Sequence, residues 1–322
     1  MTVHHPFSYK LGIFTFTGFG IAVLLAFAIA QIICQRELAR RGHDPEPIGD
    51  LVFAAVIGGL LGAKIYYVIL VHDITTLWSR GGFVFWGGLI GGIIAVFAVI
   101  HRKQLNPWRI SDVAGIGIAA AYSIGRTGCW AVGDDYGRPW SSRFAVSFPE
   151  GAPPSTAANL AAFHSSIPAG VAPNTVLSVY PTQLLEVTLG FLMFLILWRL
   201  RDHKHAEGWL LGVYMALAGI ERFAVEFLRA KDDHLFGPLT MAQYLAVLFV
   251  IAGFLVMRMR ADVPGSDHGG PRSRAAARSD RAWLRQRHRH SHAERIAHDC
   301  SARAGRRQRR AGRPVVAAGD RY

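Results

Sequence analysis

Six ionisable residues stand where an otherwise apolar chain would be expected to have none. Lys64, Arg126 and Arg222 each interrupt a long apolar stretch, Glu226 follows Arg222 by one helical turn, and Asp134 and Asp135 close the stretch that holds Arg126. Charges inside hydrocarbon are costly and tend to mark binding sites or pathways. Arginine grips phosphate through paired, charge-assisted hydrogen bonds, so several cations at one level point to an anionic ligand, and a phospholipid headgroup is the natural candidate. The plainer alternative has each cation snorkel to the headgroups while Arg222 and Glu226 pair with each other at i,i+4 spacing.

Those residues need elements to carry them, and the composition says which kind. Hydrophobic residues make up 51% and charged residues 18% of the 322, too apolar for an ordinary soluble domain of this length. A window of about 20 apolar residues, the length that crosses a bilayer, finds about seven segments: 11–34, 49–71, 83–100, 112–133, 183–198, 209–228 and 240–257. This predicts an all-α membrane protein, a bundle of about seven transmembrane helices, with no removable signal peptide ahead of the first. A long loop, 134–182, rich in Pro, Ser and Ala, separates the fourth span from the fifth.

Basic residues prefer cytoplasmic loops. Arg36, Arg40 and Arg41 follow the first span, Arg102, Lys103 and Arg109 the third, and Arg199, Arg201 and Lys204 the fifth; the loops after the second and sixth carry chiefly Arg80, Arg229 and Lys231. The amino terminus is therefore expected outside, the carboxyl terminus in the cytoplasm, and loop 134–182 outside. In that topology Lys64, Arg126 and Arg222 all lie about 10 Å below the outer ends of their helices, at 1.5 Å per residue. The expectation is that all three meet one anionic headgroup.

Three cysteines, Cys34, Cys129 and Cys300, are spaced for neither a disulfide framework nor a zinc site, so no metal or cofactor is expected. The formal charge of +13 resides almost wholly in the tail, where 17 arginines from Arg258 onward face six acids. No nucleic-acid partner is inferred from it. Residues 1–260 form the membrane domain, and 261–322 are expected to be an Arg-rich, disordered cytoplasmic appendage.

The segment Gly125-Arg126-Thr127-Gly128-Cys129-Trp130, continuing through Gly133-Asp134-Asp135-Tyr136-Gly137-Arg138, resembles the signature of the prolipoprotein diacylglyceryl transferases. Flanking stretches are similar to further motifs of that family in the same order: Trp86-Gly87-Gly88-Leu89-Ile90-Gly91, Tyr180-Pro181-Thr182-Gln183-Leu184-Leu185-Glu186, and Arg222-Phe223-Ala224-Val225-Glu226-Phe227-Leu228-Arg229. The resemblance covers about residues 10–257. It implies a multi-pass protein of the bacterial inner membrane that moves diacylglycerol from phosphatidylglycerol to the lipobox cysteine of a prolipoprotein, recognised with its signal peptide, and needs no cofactor.

Carried over residue by residue, the resemblance makes Arg126, Asp134, Arg222 and Glu226 the catalytic group. Gly87, Gly88, Gly125, Gly128, Gly133, Tyr136, Gly137, Arg138, Gln183 and Glu186 would bind substrate, with Lys64 added on the strength of its depth. Four positions depart from the pattern: Trp86 and Tyr180 stand where the family has His, Cys129 where it has Asn, and Ala218 where it has Tyr. Trp cannot accept a proton, so Asp134, Glu226, His72 and His234 remain as candidates for a general base. A paralogue that binds lipid or uses another acceptor, and a small organic-anion transporter, are the alternative readings.

Overall fold

Among the described residues, seven long helices carry the structure. The computed structural model describes residues 2–11, 14–79, 82–230, 234–237 and 239–261; Arg80, Lys231, Cys300, the side chain of His234 and the tail from 262 lie outside them. The helices are α1 (Gly18–Arg40), α2 (Pro47–Val71), α3 (Phe85–Arg102), α4 (Pro107–Val132), the short α5 (Ala157–Ala162), α6 (Thr182–Leu200), α7 (Trp209–Glu226) and α8 (Met241–Ala261).

Five of them, α1, α2, α3, α6 and α8, are long and apolar enough to cross a membrane. The other two, α4 and α7, carry Arg126, Glu221, Arg222 and Glu226, and both turn many residues inward: Val113, Ile116 and Ala119 of α4 and Leu210 of α7 are wholly buried. A helix surrounded by other helices need not be soluble in lipid, which is why these two are the less hydrophobic. The chain belongs to the class of all-α membrane proteins.

Helix α4 is the hub, packing on α1, α6 and α7; α7 in turn packs on α8, and α2 pairs with α3. One apolar cluster joins the end of α1, the start of α2, the end of α3 and the start of α4 through Cys34, Leu38, Ile48, Leu51, Ile100, Ile110 and Val113. At that same end the buried Asp112 carboxylate accepts from the backbone N–H groups of Gly208 (2.8 Å) and Leu211 (2.9 Å). Asp112 thereby caps α7 from another helix, since Gly208 has no side chain with which to do so.

Two expectations from the sequence change. The first span starts at Gly18 rather than at residue 11, because residues 8–17 form a hairpin of β2 (Ser8–Leu11) and β3 (Phe14–Thr17), and Thr17 Oγ1 caps the helix by accepting from Gly20 N–H at 3.1 Å. The long loop is a folded cap. Strand β4 (Val146–Ser147) pairs with β1 (Thr2–Val3) and β5 (Ser178–Val179), and Tyr136, Phe148, Leu160, Val179 and Ala230 form a core beneath them. Single apolar residues dispersed among turns supply that core, so no continuous run reveals it.

Glycines set the α2–α3 contact. A Cβ on Gly91 would lie 2.4 Å from Gly58 O, and one on Gly87 would lie 2.4 Å from Gly62 O. The two backbones touch, the arrangement small residues allow between membrane helices. Gly91→Ala should therefore cost about 1–3 kcal/mol of stability, the range for forced overpacking. Gly125→Ala, whose Cβ would meet nothing within 4 Å, should leave thermal unfolding in detergent unchanged; equal midpoints for the two variants would contradict this packing.

Candidate active site

The site grows out of the cap end of α4. Tyr122, Arg126 and Cys129 follow at helical spacing and share a face. Arg126 Nη2 donates to Glu186 Oε2 of α6, and its Nη1 donates to Asp135 Oδ2 at 2.9 Å and lies 3.4 Å from Cys129 Sγ. Asp135 can reach back because α4 ends on Gly133, whose φ of 69° takes the chain into a left-handed turn, with Asp135 itself at 54°.

From the end of α7, Arg229 Nη2 donates to Asp135 Oδ1 at 2.8 Å, with Glu186 Oε1 and Glu226 Oε2 each 3.8 Å from the same guanidinium. Arg222 Nη2 lies 2.6 Å from Glu226 Oε2, and Glu226 Oε1 accepts from Thr240 Oγ1 at 3.2 Å. Arg126, Asp135, Glu186, Arg229, Glu226 and Arg222 thus form one alternating chain of charges across α4, α6 and α7. Glu186 and Glu226 are almost fully buried, whereas the Arg222 side chain remains 35% exposed.

Of the residues singled out from sequence, Arg126, Arg222, Glu226 and Glu186 meet in this network. Gln183, wholly buried, donates to Asp134 O at 2.6 Å and so holds the turn that follows α4. Arg138 Nε donates to Arg229 O at 3.1 Å, bracing the backbone that carries Arg229. Gly137 sits against Leu228 O and Tyr180, and Gly128 against Ala22 and Phe19 of α1.

Lys64 is placed differently. Its ammonium donates to Ser79 O (2.7 Å) and Ser79 Oγ (3.0 Å) and lies 5.0 Å from the Phe83 ring. Helix α2 packs mainly on α3, while Arg126 and Arg222 sit on α4 and α7. Tyr136 likewise belongs to the cap core: it stacks on Phe148, and its hydroxyl lies 3.0 Å from Pro153 O and 2.9 Å from Pro154 O. Gly87 and Gly88 face Gly62 and Gly59 at the α2–α3 contact.

Sequence reasoning singled out Asp135 and quoted Arg229 within a motif without giving either a role, and it did not raise Tyr122 or Glu221. Spacing could have pointed to Tyr122 and Arg229, since Tyr122 is one turn before Arg126 and Arg229 one turn after Glu226. Tyr122 OH lies 2.9 Å from Glu221 Oε1 and 3.4 Å from Glu186 Oε1.

Just beyond the helix, two neighbouring carboxylates behave oppositely. Burial lifts the Asp134 carboxyl above its usual range. Burial would lift Asp135 as well, but the Arg229 and Arg126 guanidiniums outweigh it and hold that carboxyl down at about 2. Cys129 Sγ and both carboxylates lie within 4.8 Å of one another, a donor set that could hold a cation. Arg126 already touches Cys129 and Asp135, so a positive group is in place there.

The family profile described as prolipoprotein diacylglyceryl transferase matches residues 6–259. The chain belongs to the prolipoprotein diacylglyceryl transferase family. Among its relatives, the phosphatidylglycerol–prolipoprotein diacylglyceryl transferase of Clostridium tetani is 26% identical over 249 residues, 75% of this chain and 92% of that protein. Transferase 2 of Clostridium perfringens is 28% identical over 246 residues, 74% of this chain and 89% of that protein. The same-named transferase of Nitratidesulfovibrio vulgaris is 28% identical over 280 residues, 82% of this chain and 95% of that protein.

The positions that depart from the family's motifs have definite surroundings in this member. Trp86 is 47% exposed and packs edge-on against Phe85; Tyr180 stacks on Trp140 with ring centroids 4.1 Å apart; Ala218 packs against the apolar cluster between α4, α6 and α7. His72, one of the candidate bases, is exposed at the end of α2. None of these introduces a charge into the network.

A depressed carboxyl stabilises the fold above its unfolded value near 4 and stops doing so as pH falls through its folded value. The Asp135 contribution is therefore present at neutral pH and lost between about 4 and about 2. The thermal midpoint of the purified chain should fall across that window, and Asp135→Asn should lower the neutral-pH midpoint while flattening the acid dependence. A parallel acid dependence in variant and parent would remove Asp135 from the network's stabilising pairs.

Proposed function

We propose that this chain transfers a diacylglyceryl group from phosphatidylglycerol to the lipobox cysteine thiol of prolipoproteins, at the outer face of a bacterial inner membrane. In this reading all seven long helices cross the bilayer, with the amino terminus and cap 134–182 outside and the Arg-rich tail 261–322 in the cytoplasm. An exported precursor then meets the cap end, where its signal peptide can lie along the bundle.

The observation that carries the reading is a line of three guanidiniums held by carboxylates in one partly buried network. Arg126, Arg222 and Arg229 are held by carboxylates, and Arg126 Nε is buried without a hydrogen-bond partner. An arginine so placed can exchange a carboxylate for a phosphate, because both accept the same forked pair of hydrogen bonds. Arg126 and Arg222 would hold the lipid phosphate, Glu186 and Glu226 would aim them, and Asp134 would face the incoming substrates.

As the carbon–oxygen bond breaks, the phosphate gains negative charge. Donors fixed beforehand gain most from that change. Asp135 and Arg229 join the machinery on this account as the ion pair that holds Arg126 from the cap side. Lys64 would tie α2 to its connector at the membrane edge and take no part in the chemistry.

Membranes containing the chain, supplied with phosphatidylglycerol and a prolipoprotein substrate, should add the mass of one diacylglyceryl group to the precursor and release glycerol phosphate. Arg126→Ala and Arg222→Ala should each cut the rate by about a hundredfold or more, the scale for loss of one fixed transition-state donor. Lys64→Ala should retain most of the activity. Full rates in both arginine variants, or no product from the parent chain beside an active control enzyme, would refute the assignment.

A further inference from the structure

Transfer from a thiol releases a proton, and the family's histidine position holds Trp86 here, which accepts none. The network points to another acceptor. Arg126 pairs with Glu186 and Asp135, Arg229 with Asp135, Glu186 and Glu226, and Arg222 with Glu226. Two carboxylates stand outside these pairs, Asp134 in the turn after α4 on the cap side and, inside the bundle, Glu221 of α7. Glu221 is almost fully buried, yet among the described residues no arginine, lysine or histidine reaches it within salt-bridge distance, and its near partner is the Tyr122 hydroxyl at 2.9 Å. The same hydroxyl lies 3.4 Å from Glu186. A phenol has one proton to donate, and Glu186 is already neutralised by Arg126, so the proton of Tyr122 goes to Glu221.

Position supports a role in proton transfer. Tyr122 is one turn, about 6 Å, before Arg126 on α4, on the side away from the cap. A lipid whose phosphate sits at the arginines directs its glycerol carbons and acyl chains toward the middle of the bilayer, again away from the cap. The carbon attacked by the thiol is therefore on the Tyr122 side of the phosphate.

Resting on the transferase reading, we infer that Tyr122 takes the thiol proton while passing its own to Glu221, so that Tyr122 is a catalytic residue and Glu221 the positioned proton store behind it. The sulfur forms its bond to the glycerol carbon, the carbon–oxygen bond breaks, and its electron pair goes to the departing phosphate oxygen. The phosphodiester carries one negative charge and the released phosphomonoester two, while Glu221 loses one by protonation. The charge of the site stays constant through the step, which limits the electrostatic cost of reaction in a poorly hydrated interior. After the products leave, the proton returns to water. The groups facing Glu221 are Tyr122 and Arg126 of α4, Glu186 of α6, and Tyr214 and Arg222 of α7.

The test is the pH–rate profile of the full chain in membranes for the parent, E221Q, E221D and Y122F. E221Q and Y122F should each lower kcat by about a hundredfold, the scale of general-base catalysis. KM for phosphatidylglycerol should stay within about threefold, because lipid binding resides in the arginines. The acidic limb of the profile should disappear in E221Q and return in E221D with partial recovery of rate. An E221Q protein that inserts normally and keeps the parent's rate would overturn the inference and leave the transferase reading standing. So would a uniform loss that leaves the profile's shape unchanged, since Glu221 would then be structural. A parent chain that makes no product would bring down the transferase reading itself.

Discussion

The buried contact between Arg126 and Glu186 is the constraint from which the rest of the structure follows. Taking two charges out of water is expensive, and removing one partner of such a pair costs about 3–5 kcal/mol. Arg126 on α4 therefore fixes α6 beside it, and Arg229 and Asp135 extend the chain of charges to the end of α7 and to the first turn of the cap. Helices that must hold these groups cannot face lipid. This accounts for α4 and α7 being the least apolar of the seven and the most enclosed, with α1, α6 and α8 around them.

A chain of alternating charges is also a prepared surface. Its guanidiniums are already oriented and already stripped of most water, so an arriving phosphate replaces carboxylates instead of ordering flexible side chains. The cap contributes by closing the network from one side: Gly133 turns the chain, Gln183 holds Asp134 O, and Thr182 Oγ1 holds Asp135 O at 2.8 Å. Cys129 fits the same picture as a small buried group under Arg126, where the family's motif has a polar amide.

Much of this was legible in the sequence. Apolar length alone located the seven long helices among the described residues, because a membrane core demands such runs and little else produces them, although the first starts and ends later than expected, at Gly18 and Arg40, and the fourth starts earlier, at Pro107. The hairpin ahead of α1 was hidden, since Leu11, Ile13, Phe14 and Phe16 run without a charge straight into the apolar helix. Position along each helix was readable for Arg126, Arg222 and Lys64, but it says nothing about which way a helix face turns. Lys64 consequently lies on a helix packed mainly against α3, bound to Ser79, while Arg126 and Arg222 join through Glu226, Arg229 and Asp135. The Asp135 to Arg229 bridge spans 94 positions in the chain, a separation over which spacing carries no signal. Likewise, only packing of α4 on α7 brings Tyr122 to Glu221.

The most direct test of the central claim is the position of a bound phosphatidylglycerol in an experimental structure of the full chain in lipid nanodiscs. The account predicts density for the phosphate within hydrogen-bond distance, about 3 Å, of both Arg126 and Arg222, with Glu186 or Glu226 withdrawn from at least one of them. A phosphate seated beside Lys64 at the α2–α3 face, with the Arg126 to Glu186 contact intact, would contradict it.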